Sequence, residues 1–430
     1  MTTSADAPKN SPARVLFASL VGTTIEFFDF YIYATAAVLV FPKLFFPSSD
    51  PSSAMLQSFA TFAIAFFARP IGAAVFGHFG DRVGRKATLV AALMLMGFST
   101  VAIGLLPTYA QIGVAAPLLL AFFRLGQGLG LGGEWGGAVL LATENAPKGK
   151  EAWYGMFPQL GAPIGFICSA LSFLVLSWTL TDEQFFAWGW RIPFVASALL
   201  VIVGLYVRLK ITETPAFRAA LERHERVRVP MAVVLKDHAG LLVLGTLGAT
   251  ATFTVFYLMT VFALSWGTGV LNYSRGEFLP LQMLGMVAFG LTIPFAARIA
   301  DRVGRERALI WATVGIFLFG FLFEPLFGAG DVVSVALFLV LGLGLMGCTY
   351  GPLSAALAEL FPTAVRYTGA SLTFNLAGIL GASPAPYVAT YLAKAYGLAA
   401  VGWYLSAMAL LTGVALIAVA RRRETPALAV

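Results

Sequence analysis

Charge is what this sequence of 430 residues has least of: 11% of its side chains are Asp, Glu, Lys or Arg, against about 25% in a soluble domain. So few charges cannot clothe a globule in water, which excludes an ordinary soluble enzyme. Disorder is excluded as well, because disordered chains are polar and poor in aromatics, whereas 59% of this chain is hydrophobic and 13% aromatic. Cysteine is nearly absent. Cys168 and Cys348 lie in separate apolar runs, so neither a disulfide framework nor a thiolate metal site follows. The three histidines, His78, His224 and His238, stand apart from one another and from other ligand types, leaving no metal or cofactor to expect. No His/Cys/Ser constellation suited to catalysis is present, so the chain is not expected to be an enzyme.

Long apolar runs fill the sequence instead. A helical crossing of a bilayer needs about 20 apolar residues, and such stretches fall near 15–41, 55–79, 87–106, 114–143, 152–178, 190–209, 240–267, 276–297, 308–327, 332–360, 367–393 and 398–420. The expected fold class is therefore an all-α integral membrane protein with twelve transmembrane helices and the lipid bilayer as its solvent. The first run is too long for a signal peptide and is expected to remain as a span. Lys and Arg collect on the cytoplasmic side of membrane proteins. With the N-terminus inside, all but six of the 28 Lys and Arg residues fall on that side. Only Lys43, Arg275 and Lys394 are outside, and Arg69, Arg124 and Arg191 lie within spans. Both termini are thus expected in the cytoplasm, and this bias accounts for the net charge of +7 without a nucleic-acid partner.

The chain repeats itself. Asp81-Arg-Val-Gly-Arg85 recurs unchanged as Asp301-Arg-Val-Gly-Arg305, and Gly128-Leu-Gly-Leu131 as Gly342-Leu-Gly-Leu345. Glu144 and Pro147 are echoed by Glu359 and Pro362, and Glu213-Thr-Pro-Ala216 by Glu424-Thr-Pro-Ala427. Four matches in one order at a near-constant offset imply two parallel six-helix units with a substrate site between them near mid-membrane. The expected organisation is a tail (1–14), a six-helix bundle (15–209), a cytoplasmic linker (210–239), a second bundle (240–420) and a C-terminal tail (421–430). A short interfacial helix around 218–228 and a solvated linker are both open for the central segment. The stretches Gly128–Gly133 and Gly342–Gly347 fit G-x-G-x-x-G, but they lie inside spans, where glycine serves close helix packing rather than a nucleotide.

Gly77-His-Phe-Gly-Asp-Arg-Val-Gly-Arg-Lys86 and Arg124-Leu-Gly-Gln-Gly128 resemble signatures of the major facilitator superfamily. Gly22-Thr-Thr-Ile-Glu-Phe-Phe-Asp-Phe30, Gly132-Gly-Glu-Trp-Gly-Gly137, Trp190-Arg-Ile-Pro-Phe194, Glu213-Thr-Pro-Ala-Phe217 and Glu359-Leu-Phe-Pro-Thr-Ala-Val-Arg-Tyr-Thr-Gly369 are similar to its metabolite:proton symporter branch. Members of that branch carry shikimate, α-ketoglutarate, citrate, or proline and betaine. The resemblance covers the whole chain and implies a monomer in the bacterial inner membrane that imports a small polar metabolite with protons by alternating access.

Ionisable groups inside spans cost about 2.5–3.5 kcal/mol each even on the lenient insertion scale, so their positions carry information. Glu26 and Asp29 fall in span one, Arg69 in span two, and Arg124 and Glu134 in span four, whereas the interiors of spans seven, ten and eleven offer neutral polar groups such as Tyr257 and Asn375. The first half is expected to handle protons and charge, and the second to supply hydrogen bonds. Asp29 is expected to carry the proton with Glu26 modulating it and Arg124 as counter-charge; a purely structural ion pair is the alternative. The resemblance implies an acid on span one facing an arginine on span four but does not choose between Asp29 and Glu26. Glu26, Asp29 and Tyr33 share one helix face by spacing.

Arg69 is expected to bind an anionic substrate, an organic acid above all, because a guanidinium matches a carboxylate. Tyr33, Gln159, Tyr257 and Asn375 are its expected companions, with packing at the Pro70 bend or pairing with Glu26 as the alternatives for Arg69. Asp81, Arg85 and Glu144, with Asp301, Arg305, Glu359 and Arg366 as their twin, are expected to form a cytoplasmic gate. A proton-coupled exporter is the competing function.

Overall fold

The structure, a computed structural model, describes residues 12–47, 50–83, 85–210, 230–362 and 365–424. Within them the side chains of 12–15, 18, 77–89, 141, 207–210 and 423–424 lie outside the description. The described residues are almost wholly helical and contain no strand. That follows from the solvent: in lipid every backbone N–H and C=O must be satisfied within its own segment.

Twelve long helical stretches correspond to the twelve apolar runs. They are α1 (Pro12–Leu39), α2 (Pro51–Val83), α3 (Arg85–Leu105), α4 (Ala115–Glu144), α5 (Glu151–Thr179), α6 (Ile192–Lys210), α7 (Ala239–Gly269), α8 (Arg275–Val303), α9 (Arg305–Phe327), α10 (Val332–Glu359), α11 (Arg366–Gly381 with Ala385–Tyr396) and α12 (Leu398–Glu424). Among the described residues, nine of these are long and apolar enough by themselves to cross a membrane. The outward faces carry large apolar side chains such as Phe98, Leu118, Leu199, Leu291, Trp311 and Leu410, a lipid-facing surface in the sense that water would not tolerate it. Twelve crossings return the chain to the face where it starts, called here the terminal face; the opposite one is the far face.

The sequence repeat is a repeat of packing. In the first half α1 packs on α5, α2 on α4, and α3 on both α4 and α6; in the second, α7 packs on α11, α8 on α10, and α9 on both α10 and α12. The halves meet where α5 runs along α8 and α10 and where α2 touches α11. Glycine makes the tightest of these contacts possible. A Cβ on Gly128 would sit 2.4 Å from the Ala65 carbonyl oxygen, and one on Gly132 2.0 Å from that of Arg69, so the G-x-G-x-x-G run of α4 is a seat for α2.

Several helices are interrupted. The stretch α4 turns at Gly133 and Glu134, α11 at 382–384, and α7 contains a π-helical segment, Leu258–Phe262. The expected interfacial helix around 218–228 lies outside the described residues. A helix at Pro230–Asp237 precedes α7, and its Val234 is fully buried with Leu360, Phe361, Val365 and Leu372.

Candidate functional site

Arg69 and Arg124 project from the neighbouring helices α2 and α4 into the interior of the first half, and both are buried. They converge on one ring: the guanidinium carbons lie 4.4 Å and 4.3 Å from the centroid of Phe30 on α1. Arg69 also covers Phe66 at 4.7 Å, and Arg124 covers Tyr33 at 3.9 Å and Phe62 at 4.9 Å. Such contacts are worth about 2 kcal/mol when desolvated. They offset only part of the penalty for burying a guanidinium, which amounts to several kcal/mol.

Hydrogen bonding leaves a deficit. Arg124 donates through Nη1 to Gln127 Oε1 at 2.9 Å and through Nε to the Phe62 carbonyl at 3.4 Å. Its Nη2, the Nε of Arg69 and the hydroxyl of Tyr33 are buried without a hydrogen-bond partner. An unmet buried donor costs about 1–3 kcal/mol, and two of these groups, Arg69 Nε and Arg124 Nη2, belong to the guanidinium groups that share the Phe30 ring.

Arg124 does not touch Asp29 directly. Gln127 donates to Thr100 Oγ1 at 2.8 Å, Thr100 is one of two hydroxyls at the Asp29 carboxyl, and Ser197 donates to Asp29 Oδ1 at 2.6 Å. The expected counter-charge is thus separated from the acid by neutral groups, Gln127 and Thr100, and the Thr100 hydroxyl itself donates to the Met96 carbonyl at 2.9 Å. Asp29 faces α3 and α6 rather than the second half. Glu26 is buried one turn earlier on α1.

Arg69 also reaches the surface between the halves, where its Nη1 lies beside Gly378 of α11. Arg69 lies near three tyrosines, Tyr31 of α1, Tyr257 of α7 and Tyr350 of α10. The ring of Tyr257 packs on Phe62 at 5.6 Å and on Phe66 at 5.3 Å, and Tyr31 on Phe256 at 5.5 Å. Tyr33, expected as a substrate ligand, points instead to Arg124, Phe41 and Phe62 inside the first half. Its neighbour Tyr31 holds the interface position, because two residues along a helix turn the side chain to another side.

Gln159 spans the junction: its Oε1 accepts from Trp135 Nε1 at 3.0 Å and its Nε2 donates to the Tyr350 carbonyl at 3.0 Å. Beneath it Trp135 of α4 stacks on Phe374 of α11 with centroids 3.8 Å apart. Asn375 donates to Ser371 O on its own helix.

The terminal face is closed across the halves. Asp301 accepts hydrogen bonds from the backbone N–H groups of Ala152 and Trp153, both at 3.0 Å. A carboxylate there satisfies first-turn donors of α5 and meets the positive end of its dipole. Arg305 pairs with Glu359 of its own half and, at 2.8 Å, with Glu151 of the other. Tyr367 donates to the Gly133 carbonyl, and Ser354 to that of Gly155. Arg366 donates to Phe361 O and stands apart from the cluster. Glu144 is exposed, and the side chains of Asp81 and Arg85, its expected partners, lie outside the described residues. Glu151, which repeat matching does not find, is the residue of the first half that Arg305 pairs with.

The far face holds a vestibule of about 1000 Å³ whose walls come from both halves, among them Lys43, Trp178, Asp182, Thr268, Tyr273 and Arg275. Arg275 pairs with Asp182, and Lys394 donates to Ser52, so this mouth is bridged as well.

Residues 15–236 match the family model of sugar (and other) transporters. The chain is 59% identical to the inner membrane metabolite transport protein YhjE of Escherichia coli K12, over 95% of this chain and 94% of that protein. It is 35% identical to the shikimate transporter of the same organism, over 93% and 91%. Among solved structures, a partially occluded inward-open form of the xylose transporter XylE from E. coli superposes with a TM-score of 0.74 at 18% identity, covering 94% of this chain and 96% of that one. With its duplicated helical halves and their shared junction, the chain belongs to the major facilitator superfamily and is a multi-pass membrane transporter of metabolites.

Proposed function

We propose that this protein imports a small carboxylate-bearing metabolite together with protons across the cytoplasmic membrane of a bacterium, with its terminal face toward the cytoplasm. The observation that carries the proposal is the pair Arg69 and Arg124 at one ring, each with an unmet donor, beside a junction lined by Tyr31, Tyr257 and Tyr350. The substrate carboxylate sits on Arg69, where two parallel N–H···O bonds are available to it.

Proton and anion favour one another in this arrangement. An ionised Asp29 draws on the positive charge of Arg124 through Thr100 and Gln127; a protonated Asp29 leaves that charge to the substrate. Linkage then requires the anion to favour the proton by the same factor. The two bundles, 15–209 and 240–420, rock about the site with 210–239 as their tether. Loading from the far face takes place while Asp301, Arg305 and Glu151 hold the other side closed; release breaks those contacts. Relatives support a carboxylate substrate and proton coupling: one is named a shikimate transporter, and a structural neighbour is a proton:xylose symporter.

The test is uptake into proteoliposomes under an imposed inward proton gradient. Radiolabelled shikimate, succinate and glycine betaine stand for a monoanion, a dianion and a zwitterion. Accumulation of a carboxylate that collapses when the gradient is dissipated supports symport; accumulation only under the opposite gradient would identify an exporter.

A further inference from the structure

The π-helical turn in α7 has no local cause. Helix distortions ordinarily trace to Pro, Gly or an inserted group, and the one at Phe323–Phe327 in α9 contains Pro325. Between Gly248 and Gly267, α7 has neither Pro nor Gly. Yet Ala263 N–H reaches back to the Leu258 carbonyl, five residues away, and so abandons the Met259 carbonyl that it would meet in an α-helix.

The compensation comes from α8. The Gln282 amide, fully buried, donates through Nε2 to the Met259 carbonyl at 3.0 Å and to the Thr260 carbonyl at 2.7 Å. Thr260 Oγ1 donates in turn to the Phe256 carbonyl at 2.8 Å. We infer that Gln282 is a positioning residue of the transport site: by holding this bulge it fixes the angle at which the vestibule wall, Ala263–Gly269, stands relative to Tyr257.

The geometry makes the effect large. A π-bulge adds one residue to a turn, and one residue is about 100° of rotation in a regular helix. Relaxation to an α-helix would turn Thr268 away from the vestibule while Tyr257, packed on Phe62 and Phe66, stayed in place. The functional weight of Gln282 rests on the assignment of Tyr257 to the binding site, but its structural effect is measured without a substrate.

The experiment places Thr268→Cys in a Cys168→Ser, Cys348→Ser background and follows labelling by a membrane-impermeant maleimide from the far face. Gln282→Leu removes both donors at similar volume, and labelling is expected to slow by roughly tenfold, because the thiolate that reacts needs water. Gln282→Glu offers a single O–H donor in place of two N–H, and only while protonated, so its labelling relative to the parent at the same pH is expected to be faster at pH 5.5 than at pH 8. This variant decides the matter if Gln282→Leu does not fold. Parental labelling in Gln282→Leu, or a Gln282→Glu rate that stands in the same ratio to the parent at both pH values, would overturn the inference. Neither result depends on Arg69 binding an anion, so the two ideas fail separately.

Discussion

Arg69 and Arg124 share the ring of Phe30, their guanidinium carbons 4.4 Å and 4.3 Å from its centroid. Two cations held this near each other repel, and neither makes an ion pair with a carboxylate among the described contacts. Aromatic faces and a few acceptors keep them buried.

Removing the first cation should therefore weaken binding far more than folding. Losing one partner of a buried hydrogen-bonded charge pair costs about 2–5 kcal/mol, so Arg69→Ala should raise the Kd of the transported carboxylate by at least about thirtyfold. Arg69→Lys, which keeps the charge but not the fork, should recover part of that. Equilibrium binding to purified protein in detergent checks both.

Asp29→Asn should abolish uptake driven by a pH gradient yet leave counterflow exchange of substrate at equal pH near the parental rate. The amide imitates a protonated acid that cannot let go of its proton. Parallel gradient-driven and counterflow assays on the same vesicles make the comparison; gradient-driven accumulation at the parental level would remove Asp29 from the proton path.

Asp301→Ala takes two charge-assisted hydrogen bonds from the first turn of α5, each worth about 1.5–3 kcal/mol. The population open at the terminal face should grow, seen as faster labelling of a cysteine placed at Ser354, whose hydroxyl meets the Gly155 carbonyl across the closed junction. Unchanged labelling would make the cap an ornament of packing.

Gly132→Ala tests the seat between α2 and α4. Its Cβ would lie 2.0 Å from the Arg69 carbonyl oxygen, and overpacking of this kind costs about 1–3 kcal/mol. The melting temperature should fall and substrate affinity with it, because the residue pressed upon, Arg69, is the one proposed to hold the substrate carboxylate.

Long apolar runs and the duplicated pentapeptides made the twelve helices and their two halves legible, since bilayer thickness and helix rise leave few other outcomes. Arg69, Arg124 and Asp29 stood out because charge in an apolar span is expensive. Contacts were harder to foresee. Helical spacing grouped Tyr33 with Asp29, but α1 is enclosed by protein, so one face does not define a chamber; Tyr31 meets the second half and Tyr33 meets Arg124. The repeat suggested a gate built within each half, whereas Arg305 also crosses to Glu151, a residue without a twin in the matched motifs. Nothing in Leu258-Met-Thr-Val-Phe262 announces a bulge, because its cause, Gln282, lies on another helix.

The coupling itself is tested most directly by the Kd of the carboxylate against pH in the parental protein and in Asp29→Asn. If Asp29 carries the coupled proton, parental binding should weaken as the acid ionises, by up to about tenfold per pH unit, and the variant should bind tightly with no such slope. An equal slope in both proteins, or a parental Kd that ignores pH, would contradict it.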